Sequence, residues 1–224
     1  MMALLDLGGR FLARTAGSRG EETALRVREA ALRLFADKGY AAVSMREIAG
    51  EVGLQAGALY NHFPTKQAIL VDLLETHMID LIAAWESRSR NFSDPVDALE
   101  GFVRFHIRYH LERQNAVFIS YMELRNLERE GFERIEELRR VYEGFLRKII
   151  QIGVARQVFS VGDIPVAAMA VIAMLTGVNT WFRTGGRLKA VEIEEIYVKM
   201  VLGSLGHLMT PQSGMVQQAV PQGA

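Results

Sequence analysis

The stretch Ser44 to Lys66, SMREIAGEVGLQAGALYNHFPTK, decides the fold. Ser44 is placed to cap a helix, and Glu47 completes a capping box with it. Ile48, Ala49 and Val52 then share one face at helical spacing. Gly53 falls where that helix must stop, because glycine accepts a left-handed conformation that other residues resist. A second helix is predicted from about Ala56, with Leu59 and Phe63 on one face. Pro64 ends it and restricts Phe63. Two short helices about a glycine turn make a helix-turn-helix. The outer side of the second helix, Gln55, Gly57, Ala58, Tyr60, Asn61 and His62, suits a DNA major groove. Small residues there allow close approach, and amide and ring groups supply hydrogen bonds.

The run GLQAGALYNHFPTKQAIL resembles the signature of the tetracycline-repressor (TetR) family of bacterial transcription regulators. The Ala-Leu-Tyr start, the aromatic and His residues before Phe63, and the Pro-Thr-Lys that opens a long helix carry the likeness. The preceding AALRLFADKGYAAVSMREIAGEVG fits it too, so the close resemblance covers roughly residues 24 to 72. Gln67 departs from it, since the family more often has Glu there. The resemblance implies an all-α protein: a three-helix helix-turn-helix DNA-binding head on a larger helical ligand-binding and dimerisation domain. Gln55, Gly57 and Ala58 are expected near base edges, and Tyr60, His62 and Lys66 on phosphates. Ser44 and Arg46 open the preceding helix, where backbone N–H groups favour phosphate. So few base contacts specify only a short site, so a homodimer reading a palindromic double-stranded operator is expected.

Charge alone does not point to DNA. The chain has 224 residues, is half apolar, and carries equal numbers of acidic and basic residues. Over residues 19–66 the cations Arg19, Arg26, Arg28, Arg33, Lys38, Arg46 and Lys66 barely exceed the acids. Basic groups must therefore act locally. The absence of cysteine excludes disulfides, cysteine zinc sites and a cysteine nucleophile, and fits a cytoplasmic protein. The first fifteen residues hold too short an apolar run for a signal peptide.

Residues 1–20 read as a flexible arm in which Arg10, Arg14 and Arg19 are available to a phosphate backbone or minor groove. The head is expected over 21–66, beginning with a helix from about Glu22 to Lys38 that buries Val27, Ala30, Ala31, Leu34 and Phe35. The ligand-binding and dimerisation domain is expected over 67–209, and 210–224 as a disordered tail. Helices are predicted from Thr65 to Arg88, from Pro95 to about Leu111, and from Gln114 to about Glu128. Gly131 reads as an interruption before a long helix from Phe132 to about Val158. Two more follow, opened by Asp163 and Pro165 and by about Val191, the last ending near Leu208.

Ile164 to Phe182 has no charged residue and approaches the length of a membrane span. Its alanines, threonines, Gly177 and Asn179 make it only weakly hydrophobic, so no membrane is expected. A helix apolar all round also arises where one side meets the core and the other a partner subunit. The last helix adds Gly203, Ser204 and Gly206, which let helices approach closely. The last two helices of each subunit are expected to form a four-helix bundle with their mates, as in TetR relatives.

For a small-molecule effector the candidate lining residues are Phe105, Tyr109, Phe118, Tyr121, Met122, Arg125, Met174, Trp181 and Arg183. Ordinary core packing is the better account of most of them taken singly. His106 and His110 share a helix face as a metal pair does, but no third ligand is evident, His77 being a bare conjecture, so no metal and no cofactor is expected. The run NTWFRTGGRLKAVEIEEIYVKMVLGSLG resembles the last two helices of TetR regulators that sense acyl-coenzyme A thioesters, through Trp181-Phe182-Arg183 and Gly185-Gly186-Arg187-Leu188. That likeness implies an acyl-CoA-like effector, with Arg183 and Arg187 on its phosphates and Trp181 stacked on its acyl chain or ring.

The reading is thus a ligand-responsive repressor that is not an enzyme. An activator of the same fold, or a sensor of another hydrophobic ligand such as a drug, is the alternative. Two other classes compete with it. An enzyme needs a nucleophile–base pair, a phosphate loop or a metal cluster, and none is visible. A helical adaptor would bind protein without using Tyr60 or Lys66.

Overall fold

The computed structural model describes residues 19–90 and 92–207. Arg10, Arg14 and the 210–224 tail lie outside the described residues. Among those described, the chain forms nine α-helices and no strand.

Helix α1, Arg19–Lys38, places Glu21 and Glu22 in its first turn and Lys38 in its last, complementing the helix dipole. Val27, Ala30, Ala31 and Phe35 form its fully buried stripe. A 3-10 turn, Tyr40–Ala42, leads into α2, Met45–Glu51. Ser44 caps α2 as its sequence implies, its hydroxyl accepting the Glu47 N–H at 3.2 Å. The other half of the capping box does not form: the Glu47 carboxylate accepts from Lys38 Nζ at the end of α1. Gly53 sits at φ +70° in the turn to α3, Ala56–Tyr60.

Thr65 caps the long α4, Lys66–Ser89, through a 3.0 Å bond from the Ala68 N–H. Asp94 caps α5, Pro95–Glu112, in the same way. Helix α6, Gln114–Met122, is shorter than its sequence predicts. The backbone tightens at Glu123 into a second 3-10 turn, Leu124–Asn126. Helix α7, Arg129–Ala155, then starts early. Gly131 does not interrupt it but lies in its first turn, where a Cβ would come within 2.7 Å of Val71 Cγ2. That glycine serves close approach of α7 to α4. Asp163 caps α8, Ile164–Trp181, accepting the Val166 N–H at 2.8 Å. Helix α9, Ala190–Ser204, stops short of the expected Leu208 at a glycine with φ +70°, Gly206.

The chain packs as two units. The first comprises the chain to Glu86 together with Tyr109–Tyr142, and the second Ser87–Arg108 with the chain from Glu143 on. In the first, α2 packs on α3 and α1, and α1 packs on α6. One buried cluster joins Val27, Phe35, Val43, Ile48, Leu59 and Phe63 to Leu70 and Leu74 of α4, Ile119 of α6 and Ile135 of α7. The three N-terminal helices thus share their core with later ones, as their small apolar content requires.

In the second unit, polar pairs tie α5 to the last helices. Arg108 makes a two-pronged contact with Glu194 at 3.2 and 2.7 Å, and Glu194 is buried. Arg104 pairs with Glu195 and Glu100. His106 Nε2 lies 3.1 Å from Thr176 Oγ1 on α8. Val171, Leu175 and Val178 of α8 and Val198, Val201 and Leu202 of α9 are buried.

Candidate nucleic-acid interface

Helix α3 buries one residue, Leu59, and leaves its other side open. Gln55 holds the cap position with extended backbone, yet its side chain makes no cap bond. Its amide is exposed and unpaired among the described residues. Gly57 is exposed, and a Cβ built there meets nothing within 4 Å. Packing within the chain therefore gives no reason for glycine, which weakens a helix by roughly 0.5–1 kcal/mol relative to alanine. Tyr60 is 51% exposed and Asn61 is exposed at the end of the helix. Ala58 and His62 are half-buried beside them. These residues form one continuous outer surface of amide, phenol and imidazole groups about a position without a side chain.

The cations of the head mostly serve the head itself. Arg26 donates to the Val52 carbonyl at 2.7 Å. Arg28 grips Asp72 of α4 with two nitrogens, and this bonding raises its pKa. Arg33 pairs with Glu51 and Lys38 with Glu47.

Lys66, expected on a phosphate, is also turned inward. Its ammonium donates to the carbonyls of Tyr40 and Val43 at 2.8 and 2.7 Å and lies 4.2 Å from the centre of the Tyr40 ring. Both carbonyls flank the turn before α2, and an ammonium satisfies them better than water reaching a half-buried site. Lys66 is a staple of the head. Arg46 differs from these cations: it is exposed and has neither a hydrogen-bond nor an ion-pair partner among the described residues. Ser44 is exposed, with its hydroxyl oxygen engaged in the cap.

The candidate effector residues are not gathered in one unit. Tyr109, Phe118, Tyr121, Met122 and Arg125 belong to the first, and Phe105, Met174, Trp181 and Arg183 to the second. Phe105 and Tyr109 are buried and Met174 half-buried, whereas Phe118, Tyr121, Met122, Arg125, Trp181 and Arg183 are exposed. Trp181 already has an aromatic partner, stacking on Tyr197 at 6.5 Å and 25°. Arg183 donates to the carbonyls of Phe182 and Thr180, and Arg139 caps the Tyr121 ring at 4.7 Å.

The histidines do not form the triad their spacing raised. His106 packs on Phe102 in the second unit. His110 and His77 lie in the first, with ring centres 6.2 Å apart. Among the described residues no group of three or more His, Asp or Glu side chains is arranged to hold a metal. Burial, with Arg113 and Arg139 nearby, lowers the His77 pKa to about 4, so its ring is neutral at pH 7.

Sequence reading missed Glu123, whose buried carboxylate bonds the Tyr40 N–H across 3.1 Å. It sits in the stretch predicted as continuous helix, so no sequence signal marked it. It also missed the buried Glu194, one of several acids in the run EIEEI.

Comparison with known proteins agrees with this architecture. Residues 27–73 match the family described as bacterial regulatory proteins, tetR family, and residues 93–205 match the tetracyclin repressor-like C-terminal domain. The HTH-type transcriptional repressor KstR2 of Rhodococcus jostii (strain RHA1) is 26% identical over 193 residues, covering 85% of this chain and 94% of that protein. The crystal structure of a tetR-family regulatory protein from Rhodococcus RHA1 superposes with a TM-score of 0.80 at 28% identity, covering 86% of this chain and 100% of the other. The regulator AibR, solved in complex with isovaleryl coenzyme A and operator DNA, superposes with a TM-score of 0.74 at 26% identity, covering 80% and 97%. With family signatures over both the head and the C-terminal helices, the chain belongs to the TetR family and is a ligand-responsive DNA-binding regulator of transcription.

Proposed function

We propose that the protein is a homodimeric repressor that acts in the cytoplasm on a palindromic operator and is released by a coenzyme A thioester. The surface of α3 carries this reading. Gln55 presents an unpaired amide beside the bare Gly57, which lets the helix seat deeply enough for Gln55 and Ala58 to meet base edges. Tyr60, Asn61, His62 and Ser44 flank that contact on the phosphates, and Arg46 supplies the local positive charge.

The outer stripe of α8 and α9 supports the dimer. Val166, Met169 and Trp181 of α8 and Val191, Ile196 and Met200 of α9 are each 42–58% exposed. Gly177 and Gly203 lie among them with open space where a Cβ would stand. Helix α8 is long and apolar enough to cross a membrane, and only 22% of it is buried within the chain. A second copy covers such a stripe as readily as lipid does, and the other features of the chain are those of a DNA regulator.

The effector class rests on the Trp-Phe-Arg…Gly-Gly-Arg-Leu resemblance and on AibR, whose structure holds isovaleryl coenzyme A. Arg183 and Arg187 are exposed and offer guanidinium groups to its phosphates. The effector acts only through unequal affinity for the DNA-bound and released conformations.

Selection of duplexes from a random pool tests the reading. Enrichment of an inverted repeat, lost with Gln55→Ala, is the expected result. Enrichment of no sequence refutes the assignment. An acyl-CoA series that leaves the selected complex intact, when compared with free coenzyme A, refutes the effector class.

A further inference from the structure

The 3-10 turn Tyr40–Ala42 feeds directly into the cap of α2, so its setting aims the helix-turn-helix. Its backbone bonds locally, Gly39 N–H to the Phe35 carbonyl and Val43 N–H to the Tyr40 carbonyl, and side chains from elsewhere tie it to the rest of the unit. The Tyr40 N–H donates to Glu123 Oε1 at 3.1 Å. The Tyr40 carbonyl accepts from Lys66 Nζ. Glu123 Oε2 takes the Asn126 side-chain amide, and the Asn126 carbonyl takes Gln67 Nε2 at 2.7 Å. Lys66 and Gln67 are neighbours in the first turn of α4, so the contacts close into a ring: Tyr40, Glu123, Asn126, Gln67, Lys66 and back to Tyr40.

Two features mark this ring as more than packing. Glu123 is 5% exposed, and its carboxylate accepts from two neutral N–H groups. An apolar residue fills such space at lower desolvation cost, but it does not fix a direction. Gln67 Oε1 is buried without a hydrogen-bond partner. The Gln67 amide is thus committed to one bond, to a carbonyl, that the Glu usual in the resembling signature lacks a proton to make.

We propose that Glu123 is a positioning residue for DNA recognition: through Tyr40 it locks the helix-turn-helix to the α6–α7 turn and fixes the direction in which α3 is presented. The proposal rests on the reading that α3 faces DNA.

The test uses the full-length protein and a duplex selected by the wild-type chain from a random pool. Affinity is measured for that duplex, for versions with the half-sites one base pair closer or farther apart, and for a random duplex. Glu123→Ala removes both acceptor bonds. It is expected to weaken binding to the selected duplex about tenfold and to flatten the spacing preference, with the random duplex unaffected. Glu123→Gln restores both, because its carbonyl accepts the Tyr40 N–H and Asn126 turns its amide to match. Gln67→Met, which buries no charge, shifts the same two readouts by about threefold and replaces Glu123→Ala if that variant does not fold.

A lower melting temperature with the wild-type affinity and spacing profile overturns the proposal. So does a Glu123→Gln variant as impaired as the alanine. Failure of the wild-type protein to enrich any duplex refutes the DNA reading itself, and is seen before any variant is measured.

Discussion

Replacing Arg46 with alanine tests how the head divides its charges. Among the described residues of the head Arg46 is the exposed cation with neither an ion-pair nor a hydrogen-bond partner, while Lys66 is held by two carbonyls and an aromatic ring. Each phosphate neutralised contributes about 0.9 to the slope of log affinity against log salt, so removing Arg46 from both heads of a dimer lowers the slope by about 1.8. Between roughly 50 and 200 mM salt the wild-type affinity then falls about twelvefold more than that of the variant. Lys66→Met predicts the opposite pattern. It leaves the Tyr40 and Val43 carbonyls without their donor, a cost of about 1–3 kcal/mol in stability, with no change in slope. Fluorescence anisotropy across a salt series gives the slopes and urea denaturation gives the stabilities. An unchanged slope for Arg46→Ala beside a shallower one for Lys66→Met refutes the reasoning, because Lys66 would then leave its carbonyls for phosphate on binding.

Gly57→Ala is expected to stabilise the free protein by roughly 0.5–1 kcal/mol in denaturant titrations while weakening specific DNA binding, because the new methyl group meets nothing in the chain but fills the approach to the groove. His77 predicts a pH dependence of stability. Its folded pKa, about 4, lies below the ordinary value of 6.5, so between these values the unfolded chain binds more protons. Stability is therefore expected to rise with pH across that window by about 3 kcal/mol, and His77→Phe should flatten the rise in urea titrations at pH 4.5 to 7. Met200→Glu puts a charge into the exposed α9 stripe and should raise the dimer dissociation constant at least about 100-fold by sedimentation analysis, with helicity unchanged.

The helix-turn-helix was legible because its signals are local. Ser44 caps, Gly53 turns and Leu59 anchors according to rules that span only a few residues. The ends of α6 and α7 were not legible, since contacts across the fold decide them. Helix α6 stops where Glu123 reaches Tyr40, far away in sequence, and Gly131 stands inside α7 to make room for Val71 and not to break the helix. Gln55, Gly57, Tyr60 and Asn61 are exposed as helical periodicity implies, whereas Ala58 and His62 are half-buried. The inward contacts of Lys66 were not legible, because a lysine beside this helix has the same sequence whether it faces phosphate or two carbonyls. The effector residues were selected by type alone, and type does not distinguish a lining aromatic from one stacked on its neighbour, as Trp181 is on Tyr197.

The inward use of charge has a consequence for recognition. Non-specific DNA binding comes almost entirely from phosphate neutralisation. A chain with no net charge, whose head ties up Arg26, Arg28, Arg33, Lys38 and Lys66 in its own bonds, brings little of that term. In the proposed dimer its discrimination must then come from the fit of α3 in the groove and from the spacing of two heads. Both are geometric quantities. A head that depends on geometry gains from rigidity, and the same cations provide it: Arg28 fastens α1 to α4, and Lys66 fastens α4 to the turn before α2. The charges absent from the DNA-facing surface are those that hold that surface in place, so weak general attraction and a fixed reading direction follow from one allocation of basic residues.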